Sequence, residues 1–247
     1  MNTKYLKEVE QALKRSVVND PEYKAFREKT TNLTVLGHRL PLMQKIEKEG
    51  FSFYSESIQD VLQTWSDIWK STKIHEVMYL PLFYYRRHKN QLGPKEWKLL
   101  KTWIAQIDNW EHADALCYLY SFLYERYPKL VEPTLFVWNR SKNPWKKRAS
   151  IVSSIYYASK NRVTPKRTTV FKLIEPLITD KDPYVQKAVG WQLREAYNLW
   201  PKETLTLIEE HLTSLSSTSF SYATEKIPAK KKVQLKAVRK ASRLAKE

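Results

Sequence analysis

Apolar positions recur along this chain with a helical period. Val61, Leu62, Trp65, Ile68 and Trp69 form one such set, and Leu116, Leu119, Tyr120, Leu123 and Tyr127 another. Spacings of three and four place each set on one face of a helix of 3.6 residues per turn. Alternation with period two, the mark of a half-buried strand, is nowhere sustained. Most prolines punctuate the pattern: Pro21, Pro41, Pro94, Pro128, Pro144, Pro165, Pro183 and Pro201 stand where an apolar run begins or ends. Proline suits the first helical turn, where its missing N–H is no loss. They divide the chain into about a dozen predicted helices. Pro81 differs, lying inside the apolar stretch 77–85, and predicts a kink or a break there. Four glycines in 247 residues are far below the usual ~7%, which disfavours turn-rich β folds and phosphate-cradling loops.

The pattern also repeats. Lys142-Asn143-Pro144-Trp145-Lys146-Lys147-Arg148-Ala149 recurs 39 residues later as Lys181-Asp182-Pro183-Tyr184-Val185-Gln186-Lys187-Ala188. Each copy reads as a helix start, with Asn143 or Asp182 as N-cap and proline in the first helical position. A weaker copy, Asp108-Asn109-Trp110, precedes the first by 35 residues. A period of 35 to 39 residues leaves room for two helices per unit, close to that of HEAT-type arrays. The expected fold is therefore all-α: a right-handed α-solenoid of HEAT-like antiparallel helix pairs with a concave basic face. Domain organisation follows composition, with a repeat domain over 1–227 and a basic tail over 228–247 that is helical or partly disordered.

Charge narrows the choice of partner. Lys and Arg number 43 against 26 Asp and Glu, a formal net charge of +17, which points to a polyanion. From Lys226 onward nine residues are basic and one acidic. Leu235, Val238, Ala241 and Leu244 repeat every three residues there, so the tail can be an amphipathic helix offering Lys230, Lys231 and Lys232 to phosphates. No apolar run approaches the ~20 residues that span a bilayer, and the charged start of the chain is unlike a signal peptide. A cytoplasmic, nucleoid-associated protein that does not engage membranes is expected. The single cysteine, Cys117, stands among Ala115, Leu116, Tyr118 and Leu119 and reads as a buried structural thiol. His75-Glu76 lacks a second histidine one turn on, and no glycine-rich nucleotide motif exists. Neither a metal nor a nucleotide cofactor is expected. No serine, cysteine or histidine sits in a recognisable nucleophile motif.

Residue order adds more. Trp110-Glu111-His112-Ala113-Asp114 resembles the tryptophan and catalytic-aspartate motif of the AlkD-like DNA glycosylases, the HEAT-like DNA alkylation repair family. Asn143 to Ile151 is similar to that family's arginine motif, and Tyr184 to Glu195, with Gly190-Trp191, to its second tryptophan motif. Leu36-Gly37-His38-Arg39-Leu40-Pro41 resembles its N-terminal turn, and Phe220 to Glu225 its closing helix. The resemblance covers about residues 20 to 228. Glu111 stands where the family often has a second aspartate. The resemblance implies a monomeric DNA glycosylase that binds duplex DNA containing alkylated bases, with Trp110, Asp114, Arg148 and Trp191 at the reacting nucleotide. It implies a lesion held against a surface and not in a deep slot.

The chemistry fits those residue types. A purine alkylated at N3 or N7, such as N3-methyladenine or N7-methylguanine, already carries positive charge and needs no general acid to leave. What remains is to stabilise the cationic sugar and position a water, and one carboxylate can do both. Asp114, four residues after Trp110, projects on the same helical face. An aromatic wall attracts a cationic nucleoside by about 0.5–2 kcal/mol; Trp191 is placed as the opposite wall and Arg148 as a grip on a phosphate. Arg39, Lys187 and Arg194 are candidate phosphate contacts, although Arg194 beside Glu195 also reads as a surface charge network. The alternative function is a non-catalytic helical-repeat protein that binds DNA structures or lesions; a further rival is an adaptor for an acidic protein or RNA.

Overall fold

The computed structural model describes residues 3–16, 20–158 and 163–244. Among them lie fourteen α-helices: α1 (Thr3–Arg15), α2 (Pro21–Glu28), α3 (Leu40–Glu49), α4 (Ile58–Ser71), α5 (His75–Arg87), α6 (Pro94–Trp103), α7 (Trp110–Arg126), α8 (Pro128–Asn139), α9 (Pro144–Val152), α10 (Arg167–Ile174), α11 (Pro183–Leu199), α12 (Pro201–Glu210), α13 (Ser217–Ala223) and α14 (Ala229–Leu244). No strand is present among the described residues, and one isolated bridge joins Thr34 to Ile74. The class is all-α, as the periodicity predicts.

Helix starts follow the predicted chemistry. Asn143 Oδ1 accepts from the backbone N–H of Trp145 at 2.8 Å and of Lys146 at 3.2 Å; Asp182 Oδ1 does the same for Tyr184 and Val185 at 2.9 and 3.1 Å. The two copies also touch, with the Trp145 and Tyr184 rings 4.8 Å apart. In the weaker copy the cap is Asn109, whose Oδ1 accepts from the His112 N–H at 3.0 Å. Trp110 is therefore the first helical residue and corresponds to Pro144, one position off the register read from sequence. Asp108 is free of capping duty and accepts from the Thr31 hydroxyl and the Asn32 N–H, both at 2.7 Å. Pro81 does not break its helix: α5 runs through it. Almost every side chain of α5 is buried, Val77, Met78, Leu80 and Tyr85 among them, so tertiary burial outweighs one lost backbone bond.

The chain folds as two compact units, Met1–Leu119 and Tyr120–Glu247, dividing within α7. In the first, α3 packs on α5 and α4 on both α5 and α6. Its core is aromatic: Trp69 stacks on Trp103 at 4.5 Å, Trp103 donates to the Ser66 hydroxyl at 3.0 Å, and Trp65 meets Phe51 and Phe53 edge-on. In the second unit, α9, α11 and α13 form a row of successive contacts, with α8, α10 and α12 packed against it. Taking every second helix into one row is the organisation of a helix-pair repeat. Gly190 permits a close approach of α13 to α11, since a Cβ there would lie 2.6 Å from the Ser219 carbonyl oxygen. Cys117 is buried.

The tail is helical over 229–244 and belongs to the second unit; residues 245–247 lie outside the described residues. It docks through Leu235 and Arg239, both buried. Arg239 donates to the Leu215 carbonyl at 2.5 Å and to that of Leu212, and its guanidinium lies over the Phe220 ring. The predicted apolar stripe is only partly used, because Val238 and Leu244 are exposed.

Candidate functional site

The first unit contributes the start of α7. Trp110 and Asp114 are one turn apart and half-buried. Beneath Trp110 lies Arg27, 5% exposed, its guanidinium 5.0 Å from the Trp110 ring centre and flanked by Tyr23 and Phe26. Arg27 Nη2 pairs with Glu111 Oε2 at 2.7 Å, both side chains buried. The contact is poorly aligned, and Arg27 Nε and Nη1 have no hydrogen-bond acceptor. Burial pushes the Glu111 carboxyl up to about 7 despite the opposing pull of Arg27. Burial likewise pushes His75, 3.5 Å from Glu111, down to about 4. His112 stacks on His75 at 4.4 Å and is pushed well below its ordinary value by burial and that neighbour.

The N-terminal turn is built by Glu76. This fully buried carboxylate accepts from the backbone N–H of Leu36, Gly37 and His38 at 3.0, 2.8 and 3.2 Å. Gly37 has φ +95°, a left-handed conformation that favours glycine. The turn leads to Arg39, which is exposed but bound to Asp20 at 2.7 Å and stacked on Tyr23.

The second unit holds Arg148 and Trp191. Arg148 on α9 is 2% exposed; its Nη1 donates to the Tyr184 carbonyl at 2.6 Å and its guanidinium lies 5.9 Å from the Trp191 ring centre. Trp191 on α11 packs against Tyr156 and Tyr157 at 5.8 and 5.3 Å. Two bonds from α11 hold that aromatic pair in place: Gln192 donates to the Ile155 carbonyl at 2.8 Å, and the Ala158 N–H donates to Glu195 at 3.0 Å. The Trp191 indole N–H is buried without an acceptor, but so are those of the core residues Trp65 and Trp69. An orphan indole donor is therefore no mark of a ligand here.

The expected phosphate contacts differ in their freedom. Lys187 is exposed, with Nζ over the Tyr222 ring. Arg194 is bound by Glu225 at 2.7 Å and by Glu195, so the charge network is what forms. On α14, Lys231 pairs with Glu209 at 2.6 Å, Lys230 is exposed and Lys232 is half-buried. Sequence reasoning missed Arg27, Tyr156 and Tyr157, and saw Glu76 only as a failed metal ligand. Nothing local marks Arg27, because its partner Glu111 lies 84 residues away. Among the described residues no group of three or more His, Cys, Asp and Glu is placed to hold a metal ion. No helix there is long and apolar enough to cross a membrane.

These features define an all-α helical-repeat protein with a tryptophan and a carboxylate one helical turn apart in one unit and an arginine–tryptophan contact in the other. The family model described as "DNA alkylation repair enzyme" matches residues 9–227, and the chain belongs to that family. Among solved structures, a predicted DNA alkylation repair enzyme from Enterococcus faecalis shares the fold with a TM-score of 0.69 and 16% identity, over 85% of this chain and 97% of that one. AlkD2 from Streptococcus mutans superposes with a TM-score of 0.58 at 16% identity, over 84% and 99% of the two chains. The curated proteins give no match.

Proposed function

We propose that this protein is a monofunctional DNA glycosylase that binds alkylated duplex DNA and hydrolyses the N-glycosidic bond of positively charged alkylpurines such as N3-methyladenine and N7-methylguanine. The observation that carries the reading is the pairing of Trp110 and Asp114 on one face of α7, in a chain of the DNA alkylation repair family. Arg27 occupies one face of the Trp110 ring and so holds it in a single orientation. A cationic nucleoside meets the ring's remaining surface, and Asp114 faces the sugar as the glycosidic bond lengthens. There the carboxylate stabilises positive charge on the sugar and orients the attacking water, while the departing base leaves neutral without a proton donor. Trp191, backed by Tyr156 and Tyr157, is the second aromatic surface. Arg148, buried and committed to the Tyr184 carbonyl, serves as a fixed positive charge behind Trp191, and the more exposed Lys187 meets phosphate.

The test is release of 7-methylguanine from methylated duplex. Asp114→Asn keeps the shape and hydrogen-bonding reach of the side chain but removes its charge. It is expected to retain duplex affinity and to lose base release by about a hundredfold or more. Release at the wild-type rate by that variant would remove Asp114 from the reaction. Binding without release by the wild type would favour the non-catalytic reading.

A further inference from the structure

The second unit contains a cavity of about 560 Å³ between the loop joining α8 to α9 and the segment that leads from α10 to α11. Arg140, Lys142, Lys147 and Lys172 line it, together with the single carboxylate of Asp180. Phe136, Pro176 and Leu177 supply an apolar side. Asp180 is already committed: Oδ2 takes Lys147 Nζ at 2.5 Å, and Oδ1 takes the Asp182 N–H at 2.9 Å. Arg140, Lys142 and Lys172 are exposed, and no carboxylate lies within 4 Å of their charged groups among the described residues. Three uncompensated cations therefore share one concavity. Like charges gathered around a partly enclosed space repel one another, and an entering anion relieves that repulsion. A second cavity on α8, about 540 Å³, shows the contrast: Glu125 and Glu132 accompany its Lys129 and Lys166, so it carries no such excess.

We propose that this cavity seats the phosphodiester backbone of a DNA strand, gripped by Arg140, Lys142 and Lys172, while Lys147 neutralises Asp180 so that the site stays open to an anion. The repeat builds the site. Lys142 opens the first copy and Lys147 lies within it, whereas Asp180 immediately precedes the second copy, and the Lys147–Asp180 pair ties the two helix starts together. The apolar side accommodates a deoxyribose, which suits a nucleotide unit better than free inorganic phosphate. The cavity lies outside the Trp110, Asp114, Arg148 and Trp191 set, so it contributes register and affinity and not the bond-breaking step.

The proposal rests on the duplex-binding part of the function proposed above. Equilibrium binding to an undamaged duplex over a range of salt tests it, using Arg140→Gln/Lys142→Gln/Lys172→Gln and, as a charge-matched control, Lys95→Gln/Lys98→Gln/Lys101→Gln on α6. All six positions are exposed, so neither variant removes a buried contact, and the unchanged melting temperature expected of each checks that it folds. Each lost phosphate contact lowers the slope of log K against log salt by about 0.9. The cavity variant is expected to lose about 2–3 units of slope, with base release at saturating DNA unchanged. A slope equal to that of the wild type overturns the proposal, and so does an equal loss in the control, because binding would then follow net charge alone. Failure of the glycosylase reading is separate: a wild type that binds duplex but releases no base removes that reading and leaves the slope comparison intact.

Discussion

Glu111 and Arg27 form a buried pair whose balance depends on pH. Glu111 is raised to about 7 in the folded chain from an ordinary value of 4.5. A carboxyl whose folded pKa lies above its unfolded one favours folding fully only below the unfolded value, and that contribution is lost as pH rises from 4.5 towards 7. The shift corresponds to roughly 3 kcal/mol at 1.36 kcal/mol per unit. His75 runs the other way: lowered from 6.5 to about 4, its contribution is present above 6.5 and lost as pH falls through 4. The two oppose each other over one window, so the wild-type profile alone does not separate them. Glu111→Gln does, since it leaves only the histidine. The melting temperature of that variant relative to wild type is expected to become steadily more positive between pH 4.5 and 7 and then to level off. A difference that stays constant with pH would show that Glu111 does not titrate there. At this scale the Trp110–Asp114 pair was legible because both residues sit on one helix, four apart. The Arg27–Glu111 pair was not, because the two residues stand 84 positions apart and the chain between them must fold before they meet.

Among the helices, α11 is constrained from two directions. It carries Trp191 and Gln192 on one side and accepts α13 closely at Gly190, where a Cβ would lie 2.7 Å from Tyr222 Cβ and 2.9 Å from Ser219 Cα. Two of the three nearest atoms belong to backbone, so the neighbour cannot yield by a side-chain rotation. Gly190→Ala is expected to destabilise the protein by about 1–3 kcal/mol, despite alanine's better helix propensity. Thermal melting checks this, and an unchanged or raised midpoint would mean that α13 moves aside at no cost. Sequence alone marked the Gly190-Trp191 block through family resemblance; the close approach to α13 supplies the physical reason for the glycine. Caps and proline positions gave helix starts correctly at Asn143 and Asp182, since both depend on a few adjacent residues. At Pro81 the predicted break does not form, for the complementary reason. A local rule predicts interruption, whereas α5 is held by burial along nearly its whole length.

For the molecule as a whole, the excess of 43 basic over 26 acidic residues sets how binding should respond to salt. If six phosphates are met, affinity for undamaged duplex falls by about a thousandfold between 50 and 200 mM salt. A fall of less than tenfold would mean that this charge is not spent on the duplex. Not every basic residue is available: Arg39 is held by Asp20, Arg194 by Glu195 and Glu225, Lys231 by Glu209, and Arg239 is buried in the docking of α14. Net charge counts all of them alike; only their neighbours separate phosphate contacts from internal ties. Helical class, repeat period, caps and the spacing of Trp110 from Asp114 could be read directly from residue order, because each depends on contacts within one turn or on periodicity along one element. The support under Trp110, the Glu76 anchor of the N-terminal turn, the closeness of α11 to α13 and the open cation cluster beside Asp180 emerged only from packing. Each joins residues tens of positions apart, and burial, not local preference, determines which of them meet.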